Sequence, residues 1–245
     1  MPTTKTKRNT TTIMPTPDRA ALLMRLMALT DSAFPVGTFS FSNGLETAAD
    51  TGLVHDAPTL EAYARCIARQ AALTDGVAAL HAHRSYLRKD FEGIVEADTQ
   101  AILCKLNAEA RQMTCRMGKK LAELFTRIAD DPTAARWLAE IEAGRTPGSY
   151  PAAQGIVFAA NGIGERELFC SHQYGAIGTV LNAALRCVRV SHYDTQRILF
   201  RLSAETEALY AEAARADYCD MNAFAPQTDI LASLHEKGTK RLFMN

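Results

Sequence analysis

The sequence predicts an all-α protein, a single globular bundle of about eight to ten helices. Three observations lead there. Apolar residues recur every three or four positions in one segment after another. Capping and stop signals fall at the edges of those segments. No segment shows sustained alternation of apolar and polar residues between hairpin turns, the mark of half-buried strands.

Taken in order, residues 1–17 (MPTTKTKRNTTTIMPTP) are Thr-rich and free of acidic residues, with no apolar run. They read as a disordered tail rather than a secretory signal or an amphipathic transit peptide. The helical domain is expected over 18–217. Asp18 stands as an N-cap, and Leu22, Leu23, Leu26, Met27 and Leu29 supply an apolar face. Asn43 and Glu46 have the spacing of a capping box, starting a helix that stops near Gly52. Pro58 opens a long helical stretch that Thr74-Asp75-Gly76 can kink or divide.

From 101 to 128, apolar or small residues fall at Leu106, Ala110, Met113, Met117, Leu121, Leu124 and Ile128, the period of a buried helix stripe. Asp131-Pro132 ends it, and a short helix forms around Trp137. AGRTPGSYP is the clearest internal loop. AAQGIVFAANGIG follows as a glycine-containing buried helix. The segment from Glu165 then carries a stripe of Ile177, Val180, Leu181, Ala184, Leu185 and Val188, with Arg186 on the opposite side. A last long helix is expected over about 195–216, and a C-terminal tail over 218–245.

The 245 residues are 47% hydrophobic, enough for a well-buried core. Positive and negative side chains number 27 each, so the basic excess that drives nucleic-acid binding is missing. No apolar run approaches the ~20 residues of a membrane span. The six cysteines include no CxxC pair and read as reduced, buried small hydrophobes. These features predict a cytoplasmic protein that binds neither nucleic acid nor membrane.

Catalytic signatures fail one by one. No acidic residue stands three positions before any histidine, so the Glu-x-x-His pairs of a di-iron bundle are not there. His81 and His83 are two apart and face about 200° from each other on a helix. They read as surface or boundary histidines rather than chelating ligands. NGIGER leaves GxGxxG incomplete, and neither a P-loop nor a GxSxG elbow occurs. The expectation is no enzyme, no catalytic residue, no metal ligand and no cofactor.

Two features point instead to protein binding. In SAFPVGTFSFSNGLE, Pro35 fixes a dihedral and Gly37 permits a turn, so Phe34 and Phe39 can be directed to opposite sides of a rigid corner. The alternative is that Phe34, Phe39 and Phe41 all plug the core. The tail ends on apolar Leu242, Phe243 and Met244 after basic Lys237, Lys240 and Arg241. At ~25 cal/mol per Å2, a buried Leu and Phe contribute several kcal/mol, whether the tail folds back on its own core or orders on a partner.

The same residues carry a resemblance. LLMRLMALTDSAFPVGTFSFSNGLETAADTGLV resembles the opening of the urease accessory protein family UreF. EARQMTCRMGKKL matches a family helix through Arg111 and Gly118, YPAAQGIVFAANGI through Pro151 and Gly155, and LNAALRCVRVSHYDTQRIL through Arg186 and Gln196. FAPQTDILASLHEKGTKRLFMN resembles its terminal segment. The chain departs from the pattern at Thr114, Tyr150 and Asn245, and VRVSHYDTQ lacks a Pro-Leu-Gly-Gln run.

The resemblance implies a dimeric, all-α, non-catalytic maturation chaperone. Such a protein binds UreD (also called UreH) and the GTPase UreG, and the assembly inserts nickel into apo-urease in a GTP-dependent step. It implies a UreD/UreH contact at Phe224, Pro226, Arg241, Leu242 and Phe243. Glu46, Arg111 and Arg186 become candidate exposed contacts, and Phe39 belongs to a corner that shapes the docking surface. The alternatives are a small helical-bundle enzyme, or a UreF-like assembly factor for another hydrolase.

Overall fold

A computed structural model gives the fold, described over residues 18–31, 33–37, 41–222, 225–235 and 242–243. Residues 1–17, Phe39, Phe224 and Arg241 lie outside the described residues. Among the described residues there are twelve α-helices and no strand. They are α1 (Arg19–Thr30), α2 (Leu45–Asp50), α3 (Ala57–Ala71), α4 (Val77–Leu87), α5 (Phe91–Leu103) and α6 (Ala108–Ile128). The second half holds α7 (Pro132–Glu142), α8 (Tyr150–Ala160), α9 (Glu165–Cys187), α10 (His192–Ser203), α11 (Thr206–Ala213) and α12 (Pro226–His235).

Local signals explain most boundaries. Asp18 caps α1 as the sequence predicts. Asp131 caps α7, accepting from the Ala134 amide, while Pro132 opens its first turn where no N–H partner is needed. Between α3 and α4 the chain runs on through a single π-turn, Ala72–Gly76, at the predicted break. A β-carbon on Gly76 would lie 2.8 Å from Phe169, so the bare backbone there lets α9 approach.

Other boundaries differ from the sequence reading. The stripe over 101–128 is two helices, because Asn107 caps α6 by accepting from the Ala110 amide, and Leu103 at the end of α5 and Leu106 in the turn are left exposed. The last long helix divides into α10 and α11. Ser191 and Asp194 form a reciprocal capping box that starts α10 earlier than expected. The Asn43/Glu46 box does not form: Gly44, at φ 77°, precedes α2 without a side-chain cap, and Asn43 is itself left-handed at φ 52°.

The core is built from opposing helix faces. α4 lies between α5 and α8, and α6 packs over α8. A β-carbon on Gly155 would stand 2.7 Å from the Ala79 carbonyl, so α8 and α4 meet backbone to backbone. Trp137, Phe158 and Phe169 are fully buried. A second cluster joins α2, α3, α9, α10 and α12, with Phe243 completing it. In α1, Leu22, Leu26 and Leu29 face the core while Leu23 and Met27 are exposed.

The histidines and cysteines also differ from expectation. His83 is buried, with Nε2 against the Ile163 carbonyl at 2.8 Å. All six cysteines are free, but Cys170 and Cys219 are exposed and the other four only half-buried. The stripes that bury aliphatic residues turn these thiols to the edge.

Candidate partner interface

The fold gathers Glu46, Arg186, Leu242 and Phe243, which stand far apart in sequence. The gathering starts at Gly44. Its positive φ turns the chain into α2 so that Leu45 and Glu46 point inward. A β-carbon there would lie 3.0 Å from the Thr228 carbonyl, so the same glycine lets α12 settle over the start of α2. Tyr63 donates to the Asn43 carbonyl at 2.6 Å, and burial raises the pKa of that phenol and keeps it a donor.

Glu46 is only 4% exposed, contrary to its expected exposure. Its carboxylate collects donors from the C-terminal segment. Oε1 accepts the Leu242 amide at 2.7 Å, and Oε2 accepts the Phe243 amide at 3.2 Å and faces His235 Nε2 at 2.9 Å. The other ring nitrogen of His235 faces Glu109 at 3.4 Å, so an imidazolium can donate to both carboxylates. A buried carboxylate needs such partners, because desolvation without them is expensive.

Phe243 is 7% exposed and packs in the core, whereas Leu242 beside it is 65% exposed. The described end of the tail therefore folds onto its own chain, and its two apolar residues divide between inside and outside. Arg186 is exposed, and its guanidinium carbon lies 5.6 Å from the centre of the Phe243 ring. Pro226 is the exposed first residue of α12. Arg111, exposed on the first turn of α6, donates to the Lys105 carbonyl. Phe34 packs against the apolar cluster around Trp137, and Phe41 is buried.

Polar pairs fix α12 to its neighbours. Gln70 on α3 donates to Asp229 at 3.0 Å and accepts from Thr228 at 3.1 Å, and Asn107 donates to Asp229 at 3.2 Å. Next to this seam a cleft of about 390 Å3 opens between α3, α6, α9 and α12, lined in part by Phe41, Met113, Met117, His172 and Phe243. Inside it Lys105 pairs with Asp75 at 2.6 Å, and His172 Nδ1 faces Gln154 Oε1 at 2.8 Å. Burial is the main cause holding the His172 pKa below its ordinary value.

Sequence reasoning missed His235, Glu109, His172 and Gln154. The available signal was a glutamine inside the otherwise apolar α8 run, AAQGIV. Among the described residues no group of three or more His, Cys, Asp or Glu side chains is placed to hold a metal ion. No helix among the described residues is long and apolar enough to cross a membrane. The gathered groups are donors, acceptors and apolar surfaces that hold a chain segment in place.

Known proteins share this sequence pattern. A family model described as UreF matches residues 54–203. "Urease accessory protein UreF" of Yersinia pseudotuberculosis serotype IB (strain PB1/+) is 45% identical over 226 residues, covering 92% of this chain and 99% of that protein. The proteins of the same name from Yersinia enterocolitica serotype O:8 / biotype 1B and Yersinia pestis (strain Pestoides F) match at the same identity and coverage.

Proposed function

The chain belongs to the UreF family of urease accessory proteins, and from that premise we propose that it is a non-catalytic scaffold for urease maturation. It acts in the cytoplasm as a homodimer, binds UreD/UreH and the GTPase UreG, and promotes GTP-dependent nickel insertion into the urease apoprotein. Nickel is the cargo of that assembly. The C-terminal segment, 218–245, meets UreD/UreH through Phe224, Pro226, Arg241 and Leu242, with Phe243 anchoring the segment from the core. Phe39, Arg111 and Arg186 shape or line the partner-facing surfaces, and buried Glu46 acts on them only from inside.

The observation that carries this reading is the 45% identity, spread over 92% of the chain, to proteins named urease accessory protein UreF. The site supports it further. Leu242, Ile230 and Leu234 are large apolar side chains left exposed on the C-terminal segment. Covering such side chains is worth about 1.5–3 kcal/mol each. The test is co-purification with UreD/UreH and UreG, comparing the full chain with one ending at Cys219. The full chain is expected to recover both partners and the shortened chain to lose UreD/UreH. Equal recovery by both would remove the tail from the mechanism.

A further inference from the structure

We infer that Glu46 is a latch that holds Leu242 and Phe243, near the end of its own chain, in one fixed placement, with His235 as its second point of attachment. Every hydrogen bond recorded for the Glu46 carboxylate among the described residues comes from the last 11 positions: His235, Leu242 and Phe243. None comes from α2 itself. A carboxylate that only closed its own helix would take its donors locally, as Asp56 does from Thr59. Glu46 instead reaches across 196 positions to the Leu242 amide.

The arrangement has two states for a physical reason. With the segment seated, three donors satisfy the carboxylate, and the Phe243 ring fills the cluster formed by α2, α3, α9 and α10. With the segment lifted, the carboxylate is left without those donors and must meet water. Seating and burial are therefore coupled through one side chain. Three further contacts act in the same direction: Glu109 on the far side of His235, Arg186 over the Phe243 ring, and the close approach at Gly44.

The latch fixes where Leu242 stands relative to Ile230 and Leu234, the exposed residues of α12. Glu46 and His235 are thus positioning residues: they do not meet a partner but place the residues that do. That consequence rests on the proposed docking role of the tail. The latch itself does not.

The test is residue-resolved amide exchange on the full-length chain, in the unaltered form and with Glu46→Gln. In the unaltered chain the Leu242 and Phe243 amides are expected to exchange at least about tenfold more slowly than in a free peptide. Glu46→Gln keeps the shape but replaces one acceptor oxygen with a donor, and is expected to return at least one of the two amides to the free-peptide rate. Amides of α4 and α8 should be unchanged. Glu46→Asp, which keeps the charge and loses the reach, is expected to do the same should the glutamine variant fail to fold. Free-peptide rates in the unaltered chain, no change in either variant, or equal loosening of α4 and α8 would each overturn the latch. Pull-down of UreD/UreH by the same variants separates the two ideas. A released tail with undiminished capture leaves the latch standing and overturns the docking role.

Discussion

His172 faces the cleft from α9 with one ring nitrogen held by Gln154 and the other, Nε2, without a hydrogen-bond partner among the described residues. Desolvation holds its pKa below the ordinary 6.5, with nearby Asp75 opposing and Lys105 reinforcing the shift. Below about 6.5 the unfolded chain then binds more protons than the folded one, so acid erodes stability through this residue, and above that pH it has no effect. Thermal melting between about pH 7.5 and 5.5 is expected to show a shallower acid loss in His172→Gln than in the unaltered chain. Parallel losses would mean that the imidazole is not the group responsible. At this scale the sequence was legible only in part. Arg186 was readable as a charge opposite an apolar stripe. Glu46 was readable as a residue of note, but its burial was not, because its donors among the described residues lie near the far end of the chain.

Helices α5, α6 and α8 meet at a loop whose geometry depends on Asp98. This fully buried carboxylate accepts from the Thr146 hydroxyl at 2.5 Å, the Gly148 amide at 2.8 Å and the Ser149 amide at 2.6 Å. The loop is thereby drawn against α6, where a β-carbon on Gly118 would fall 2.2 Å from the Gly148 carbonyl oxygen. Gly118→Ala is expected to destabilise the protein by about 1–3 kcal/mol or more in urea unfolding. Gly178→Ala in α9, where a β-carbon would meet nothing within 4 Å among the described residues, is expected to stabilise it by about 0.5–1 kcal/mol through the reduced freedom of the unfolded chain. Loss of stability in both would show that the α9 glycine also serves a contact. Element boundaries were legible where the signal was local, as at Asp18 and Asp131-Pro132. The division at Asn107 was hidden because Leu106, although exposed in the turn, continues the apolar count.

Across the whole molecule, apolar burial outweighs charge pairing. Arg201 with Glu61, Arg65 with Glu205, and Arg69 with Glu212 stitch α3 to α10, to the turn that follows it and to α11. Most of these side chains are more than one-third exposed, and such pairs contribute about 0.2–1 kcal/mol each. Salt at about 1 M, where the screening length is ~3 Å, is expected to move the melting temperature little. Trp137→Ala or Phe158→Ala, each emptying a fully buried site, is expected to cost about 3–5 kcal/mol and to lower it markedly. A large salt effect would reverse that ranking. The all-α class and the order of the helices followed from the sequence alone, because periodicity and caps act over a few residues. The resemblance to UreF was equally present in the motifs. Only the tertiary structure decided that α12 and Phe243 return to α2, that Glu46 is inside, and that Leu242 is outside. Those outcomes depend on contacts between segments up to 197 positions apart, and no local spacing encodes which distant donor a buried carboxylate will find.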